Sequence, residues 1–305
     1  MPPDTMPSAS ASTNPPDRYA VLGQPVAHSQ SPFIHAAFGR QTGQALDYGR
    51  VECPLDGFEA SLRAFIAAAD GAAGLGPARG CSITVPFKFQ VLPLAQRVSA
   101  CAALAQAANV LGFDDDGWWA DNTDGIGLVR DIEGHAGCRL AGQRVLLIGA
   151  GGAAAGVLGP LIAAGCSAVT VANRTPAKAE ALVQRHQAWA DRHGCRLRAS
   201  ALDAPGEAFD LVLNSSASSL AGAAVPVPAR VLRPGTLAVD LMYGPPAQPF
   251  LDWAHQHGAT GRDGLGMLVE QAAEAFRLWR GVMPATAPVL AALRAHLAAK
   301  AAAQG

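Results

Sequence analysis

The stretch at residues 144–156, RVLLIGAGGAAAG, constrains this chain more than any other. Residues 145–148 form a short apolar run of the kind that makes a strand buried in a parallel sheet. They lead into Gly149-Ala150-Gly151-Gly152-Ala153-Ala154, which fits the dinucleotide pattern G-x-G-x-x-G/A. Gly149 permits a tight turn, and Gly151 lets the backbone approach a pyrophosphate. The small Ala154 allows close packing of a helix whose N-terminus points at the phosphates.

A pattern of this kind arises by chance in chains rich in Ala and Gly, so its context matters. A second apolar strand is expected at 168–172, ending about 20 residues past the glycines, where a ribose-recognition residue belongs. There the sequence reads Asn173-Arg174-Thr175-Pro176-Ala177-Lys178, with no carboxylate for a free 2′-hydroxyl. Thr175 is positioned to cap a helix with Pro176 at its first position. Cations at a helix start oppose its dipole, so an anion between Arg174 and Lys178 is expected, and the 2′-phosphate of NADP fits. The alternative is an exposed helix start with incidental basic residues.

At 305 residues the chain is long enough for about two domains. A net charge of −1 gives no electrostatic case for nucleic acid or an acidic membrane, and leaves a small-molecule substrate as the expected partner. The six cysteines have no zinc-like spacing and read as reduced thiols of a cytoplasmic protein. Residues 1–17 read as a disordered tail without the features of a signal peptide. Residues 145–172 lack charge over a length that could span a bilayer, but glycines and Pro160 break the run into strand, loop, helix and strand.

The first half alternates in the same way. Strands are expected at 19–23, 47–53 and 80–85, with helices at 31–40 and 56–69 and an Ala-rich helix over 89–108. A hairpin at 110–120 follows, turning on Asp114-Asp115-Asp116-Gly117, which reads as a solvated turn. Ser31 can cap the first helix or donate, with Ser29, to a carboxylate, and both readings are open. Lys88 is one of three lysines among 23 basic residues, which suggests a role that needs a removable proton. Asp124 lies in a D-G turn or, on the sharper reading, in the cleft between two domains. Beyond the glycine turn come a helix to about 193, strands at 210–213 and 236–241, and helices at 264–279 and 288–303. The last two are expected to cross back onto the first half. The fold class is α/β, with two α/β domains around a cleft: residues 18–123 plus 265–305, and a doubly wound domain at 124–264.

These motifs together resemble the shikimate dehydrogenase family. The resemblance runs from about residue 19 to 297 through YAVLGQPVAHSQSPFIH, ITVPFK, DNTDGIGL, GAGGAAAG, NRTPAK and DGLGMLVEQAAEAF, in the family's order. It implies NADP-dependent, reversible reduction of 3-dehydroshikimate to shikimate in aromatic amino-acid biosynthesis. By resemblance Ser29 and Ser31 hold the substrate carboxylate with help from Tyr243, and Thr84, Asn109 and Gln271 bind ring hydroxyls. Lys88 and Asp124 meet the reacting oxygen, with lysine as proton donor in the reducing direction. Gly149, Gly151, Gly152, Ala153, Ala154, Asn173, Arg174 and Lys178 hold the cofactor, and Met267 lies near its nicotinamide. A monomer or homodimer without metal is implied.

Three positions depart from the family's pattern: Ser82 stands for Asn, Val110 for Thr, and Ser215-Ser216 for Ala-Thr. Ser82 is the most consequential, because a hydroxyl replaces an amide that donates and accepts at once. It points to altered affinity or preference, as in a relative that favours quinate. The rival from another class is a catalytically silent NADP-binding regulator, which would need neither Lys88 nor Asp124.

Overall fold

The computed structural model describes residues 15–71, 74–216 and 225–303. Most of the expected tail, residues 1–14, lies outside them. Asp17 does not belong to a tail: it opens strand β1 (Asp17–Gly23) and pairs with Arg79 and Arg280. After α1 (Ser31–Thr42), β2 (Leu46–Glu52), α2 (Phe58–Gly71) and β3 (Ala78–Ile83), the chain has made two parallel crossovers, with β1 between β2 and β3. The apolar core of β1 explains that central place, since an interior parallel strand is covered on both faces.

The helix expected over 89–108 is not continuous. Residues 87–89 and 92–94 are separate 3₁₀ turns, the second holding Pro93, and β4 (Arg97–Val98) follows. Only α3 (Ala100–Ala105) is α-helical, started by the Ser99 hydroxyl, which accepts the Ala102 N–H at 3.1 Å. Proline denies a donor to a preceding turn, and serine competes for backbone groups until it serves as a cap. The hairpin of β5 (Val110–Asp114) and β6 (Gly117–Asp121) forms as expected. Its Asp114 carboxylate accepts the Asp116 N–H and pairs with Arg97. The six strands run β2-β1-β3-β5-β6-β4, with β5 antiparallel to both neighbours.

From α4 (Asp124–Arg130) the chain enters a second sheet. It comprises β7 (Arg144–Ile148), α5 (Gly152–Ala163), β8 (Ala168–Ala172), α6 (Pro176–Arg192), β9 (Arg196–Ser200), β10 (Leu211–Asn214), β11 (Leu237–Asp240), α7 (Gln248–Gln256) and β12 (Thr260–Arg262). All pairings are parallel and the order is β12-β11-β10-β7-β8-β9, a doubly wound sheet whose direction reverses between β7 and β10. Ligands of such sheets sit at that switch, beyond the carboxyl ends of the strands. The central residues Val145, Leu146, Leu147 and Ile148 are fully buried. β9, β12 and α7 were not expected. β9 and β12 are edge strands of alternating or short polar sequence, RLRAS and TGR, which lack the apolar run that marks an interior strand. Thr175 precedes Pro176 at the head of α6 as expected, but its side chain makes no cap hydrogen bond.

Helices α8 (Leu265–Arg280) and α9 (Thr286–Ala302) return to the first sheet. Val269, Phe276 and Leu293 pack with Ile34 and Phe38 of α1 in one cluster, as the sequence suggested. α8 also lies against α4, where a Cβ added to Gly127 would stand 2.6 Å from the Gln271 backbone nitrogen.

Candidate active site

Lys88 stands in the 3₁₀ turn after β3, anchored by fully buried Phe87 stacked on Phe58 at 4.7 Å between centroids. Its Nζ donates to Asp124 Oδ2 at 2.5 Å, and both side chains are largely buried. The other Asp124 oxygen accepts from Asn109 Nδ2 at 2.9 Å, and its backbone N–H donates to Asn122 Oδ1 at 3.1 Å. Asn109 Nδ2 also lies 3.0 Å from Gln271 Oε1, while its oxygen accepts the Thr123 N–H at 2.8 Å. Thr123 in turn donates from Oγ1 to the Gln271 carbonyl at 3.1 Å. A buried carboxylate is costly unless its oxygens are paired and bonded, and here each oxygen has a donor. The D-G dipeptide is therefore the start of α4, with the Asp124 carboxylate turned to Lys88. Asn122 and Thr123, which precede the aspartate inside DNTDG, hold that start in place.

The serines occupy the loop before α1. Gln30, not Ser31, is the residue ahead of the helix, and it makes no side-chain cap; Ser31 is the first helical residue. Ser29 accepts the Ser31 N–H at 3.3 Å and donates from its hydroxyl to Ser31 Oγ at 3.2 Å. Ser31 therefore does not cap the helix. Tyr243 lies beyond β11, and burial raises its pKa against the opposing influence of the Gln30 backbone and the Arg50 charge.

Ser82 has a partner that the sequence did not suggest. Tyr48 on β2 donates its phenol proton to Ser82 Oγ at 2.7 Å. Burial pushes the Tyr48 pKa up, keeping it a donor, and its ring stacks on His35 at 4.2 Å with 3° between planes. A hydroxyl that accepts from Tyr48 keeps only its own proton to donate, where an amide would donate and accept at once. Val110, opposite Ser82 across the β3–β5 pairing, is fully buried and contributes packing alone. Thr84 is half-buried beside Gly23.

The glycine turn fits a dinucleotide. Gly149 has φ of +110°, a conformation that L side chains rarely adopt, and a Cβ added there would meet Ser215 Oγ at 2.7 Å. Ser215 donates to the Ile148 carbonyl at 2.7 Å, so this departure from the family pattern braces the end of β7. No heavy atom lies within 4 Å of where a Gly151 side chain would begin, which leaves the room a pyrophosphate needs. Gly152 opens α5, Ala153 is half-buried and Ala154 fully buried against the sheet. At the end of β8, Asn173 Nδ2 donates to the Thr175 carbonyl at 2.9 Å. Arg174 and Lys178 are exposed and, among the described residues, form no ion pair. Met267 is buried in the same cluster as Ala154. A Cβ on Gly152 would stand 3.2 Å from Lys88 Cβ, so the turn and the lysine are in contact.

The family models for the shikimate dehydrogenase substrate binding domain, shikimate/quinate 5-dehydrogenase and the shikimate 5′-dehydrogenase C-terminal domain match residues 21–111, 131–221 and 264–294. A shikimate dehydrogenase (NADP(+)) of Methylibium petroleiphilum is 63% identical over 279 residues, covering 92% of this chain and 94% of that protein. The chain belongs to the shikimate dehydrogenase family. The crystal structure of an Ael1 enzyme from Pseudomonas putida superposes with TM-score 0.80 at 46% identity, covering 91% of this chain and 98% of that one. A Thermus thermophilus shikimate 5-dehydrogenase in complex with NADP(H) and shikimate gives TM-score 0.76 at 33% identity over 91% of this chain and 98% of that one. No helix among the described residues is long and apolar enough to cross a membrane.

Proposed function

We propose that the chain is an NADP-dependent shikimate dehydrogenase that reversibly reduces 3-dehydroshikimate to shikimate. The observation that carries the reading is the buried Lys88–Asp124 pair in contact with the glycine turn. Residues 18–123 with 265–305 form the substrate half and 124–264 the cofactor half. Bound NADPH supplies hydride. Gly149, Gly151, Gly152, Ala153 and Ala154 hold its pyrophosphate, Arg174 and Lys178 its 2′-phosphate beside Asn173, and Met267 flanks the nicotinamide.

The chain's own residues handle the proton and the orientation. Ser29, Ser31 and Tyr243 fix the substrate carboxylate, while Thr84, Asn109 and Gln271 bind ring hydroxyls. Lys88 Nζ gives a proton to the forming alkoxide on reduction and takes it back on oxidation. Asp124 keeps Nζ aimed, and Asn109 occupies the second Asp124 oxygen, so the carboxylate has one free direction, toward the lysine. The lack of a carboxylate at residues 173–178 supports NADP, and the six free cysteines support a cytoplasmic setting; the protein acts as a monomer or homodimer. Initial rates of cofactor reduction with shikimate beside quinate, each with NADP and NAD, test this. Turnover on shikimate with NADP is expected; binding of NADP without turnover on either acid refutes it. Preference for quinate instead identifies Ser82 and its Tyr48 partner as retuned.

A further inference from the structure

Strand β2 carries none of the motifs in the sequence, yet one of its faces backs the serine loop. Alternate residues of a strand share a face, so Tyr48 and Arg50 point the same way. Tyr48 reaches Ser82. Arg50, two residues on, reaches Ser29: its Nε and Nη2 both donate to the Ser29 carbonyl, at 3.1 and 2.6 Å. Arg63, Arg97, Arg233 and Arg280 each pair with a carboxylate, but among the described residues Arg50 does not. Of its five N–H donors, two serve one carbonyl. Its charge also acts on the Tyr243 hydroxyl from across the loop. Glu52 follows two residues on along the same strand face, and His28 precedes Ser29 in the loop.

The groups that face the proposed carboxylate, Ser29, Ser31 and Tyr243, are all neutral hydroxyls. A carboxylate brought to them exchanges a full hydration shell for uncharged donors, a poor trade without a cation at hand. The chain as a whole supplies no net positive field, with a net charge of −1, and Lys88 is paired with Asp124. Arg50 is the cation fixed to the loop itself. We propose that Arg50 is a positioning residue for the carboxylate substrate, pinning the Ser29 backbone and supplying the positive potential that draws the anion into the serine loop. This rests on the proposed function for the identity of the anion. Guanidinium suits the task because its planar fork grips the carbonyl with two N–H groups and stays charged, which an ammonium does less well.

The test is isothermal titration of the whole enzyme with shikimate at low and high salt, using wild type, Arg50→Ala, Arg50→Gln and Arg50→Lys, with NADP affinity and melting temperature as controls for folding. Arg50→Ala and Arg50→Gln are expected to weaken shikimate binding roughly tenfold and to flatten its salt dependence, with NADP affinity unchanged. Arg50→Lys keeps the salt dependence and recovers part of the affinity. In turnover, the loss appears in KM and not in kcat. Wild-type affinity and salt slope in Arg50→Gln overturn the proposal. Weakened binding with an unaltered salt slope reduces Arg50 to a loop staple and overturns its electrostatic part. Failure of wild type to bind shikimate at all overturns the functional reading beneath it, a result the variants cannot mimic.

Discussion

His35 makes the stability of this protein depend on acid in a calculable way. It lies in α1 at 1% exposure, stacked on Tyr48 and close to Phe38, Phe276 and Trp279. Its Nε2 is buried with no hydrogen-bond partner. Burial lowers its pKa from 6.5 to about 3, so the folded protein keeps the ring neutral. A group whose folded pKa is depressed contributes stability that is present above the unfolded value and drains as pH falls. Here the drain runs from about pH 6.5 to about pH 3, because only the unfolded chain takes the proton over that window. Each pH unit inside it costs about 1.4 kcal/mol, so at pH 4.5, two units below the unfolded value, the loss is about 2.7 kcal/mol. Urea unfolding of wild type and His35→Phe at pH 7 and pH 4.5 isolates this, because carboxylates elsewhere titrate equally in both proteins. Wild type should lose about 2.5 kcal/mol more than the variant between the two pH values, allowing for the small fraction already protonated at pH 7. Parallel losses in the two proteins would falsify the argument and mean that water or a partner reaches the ring.

Other expectations are closer to the chemistry. Lys88→Ala should lower turnover by about 10²–10⁴ while leaving NADP affinity intact; a variant that keeps most of its rate removes Lys88 from the proton path. Arg174→Ala with Lys178→Ala should weaken NADP binding by tenfold or more, roughly 1.4 kcal/mol, and leave NAD binding unchanged, as read by fluorescence titration of both cofactors. Gly127→Ala forces a methyl to within 2.6 Å of the Gln271 backbone, and overpacking there should cost about 1–3 kcal/mol in chemical denaturation. Tyr48→Phe frees Ser82 from its donor and should raise the shikimate KM several-fold at nearly constant kcat, about 1 kcal/mol for one hydrogen bond. An unchanged KM would remove Tyr48 from recognition.

The parts legible in the sequence are those where one local pattern has one physical solution. The apolar run into glycines at 145–152 is both strand and phosphate turn, and β7, α5 and β8 lie where it places them. The scarcity of lysine singles out Lys88 and the D-G pair singles out Asp124, and the fold brings the two together as an ion pair. The helix over 89–108 failed because alanine content outweighed Pro93 and Ser99, whose backbone effects decide the local conformation. Tyr48 and Arg50 were illegible for a different reason. They act through Ser82, 34 residues distant, and Ser29, 21 residues distant, and only the sheet register brings them there.

The return of α8 and α9 has a consequence for how the chain is made. Ile34 and Phe38 find their partners in Leu265, Val269, Phe276, Val289 and Leu293, at the far end of the sequence. The second sheet is contiguous, from β7 to β12, and needs nothing that follows residue 262 to complete its pairing. On the ribosome, then, the later half closes first. The earlier half, with Ser31, Lys88 and Asn109 already synthesised, waits with an uncovered apolar face for the last segment to emerge, and that interval is when the nascent chain is most exposed to aggregation.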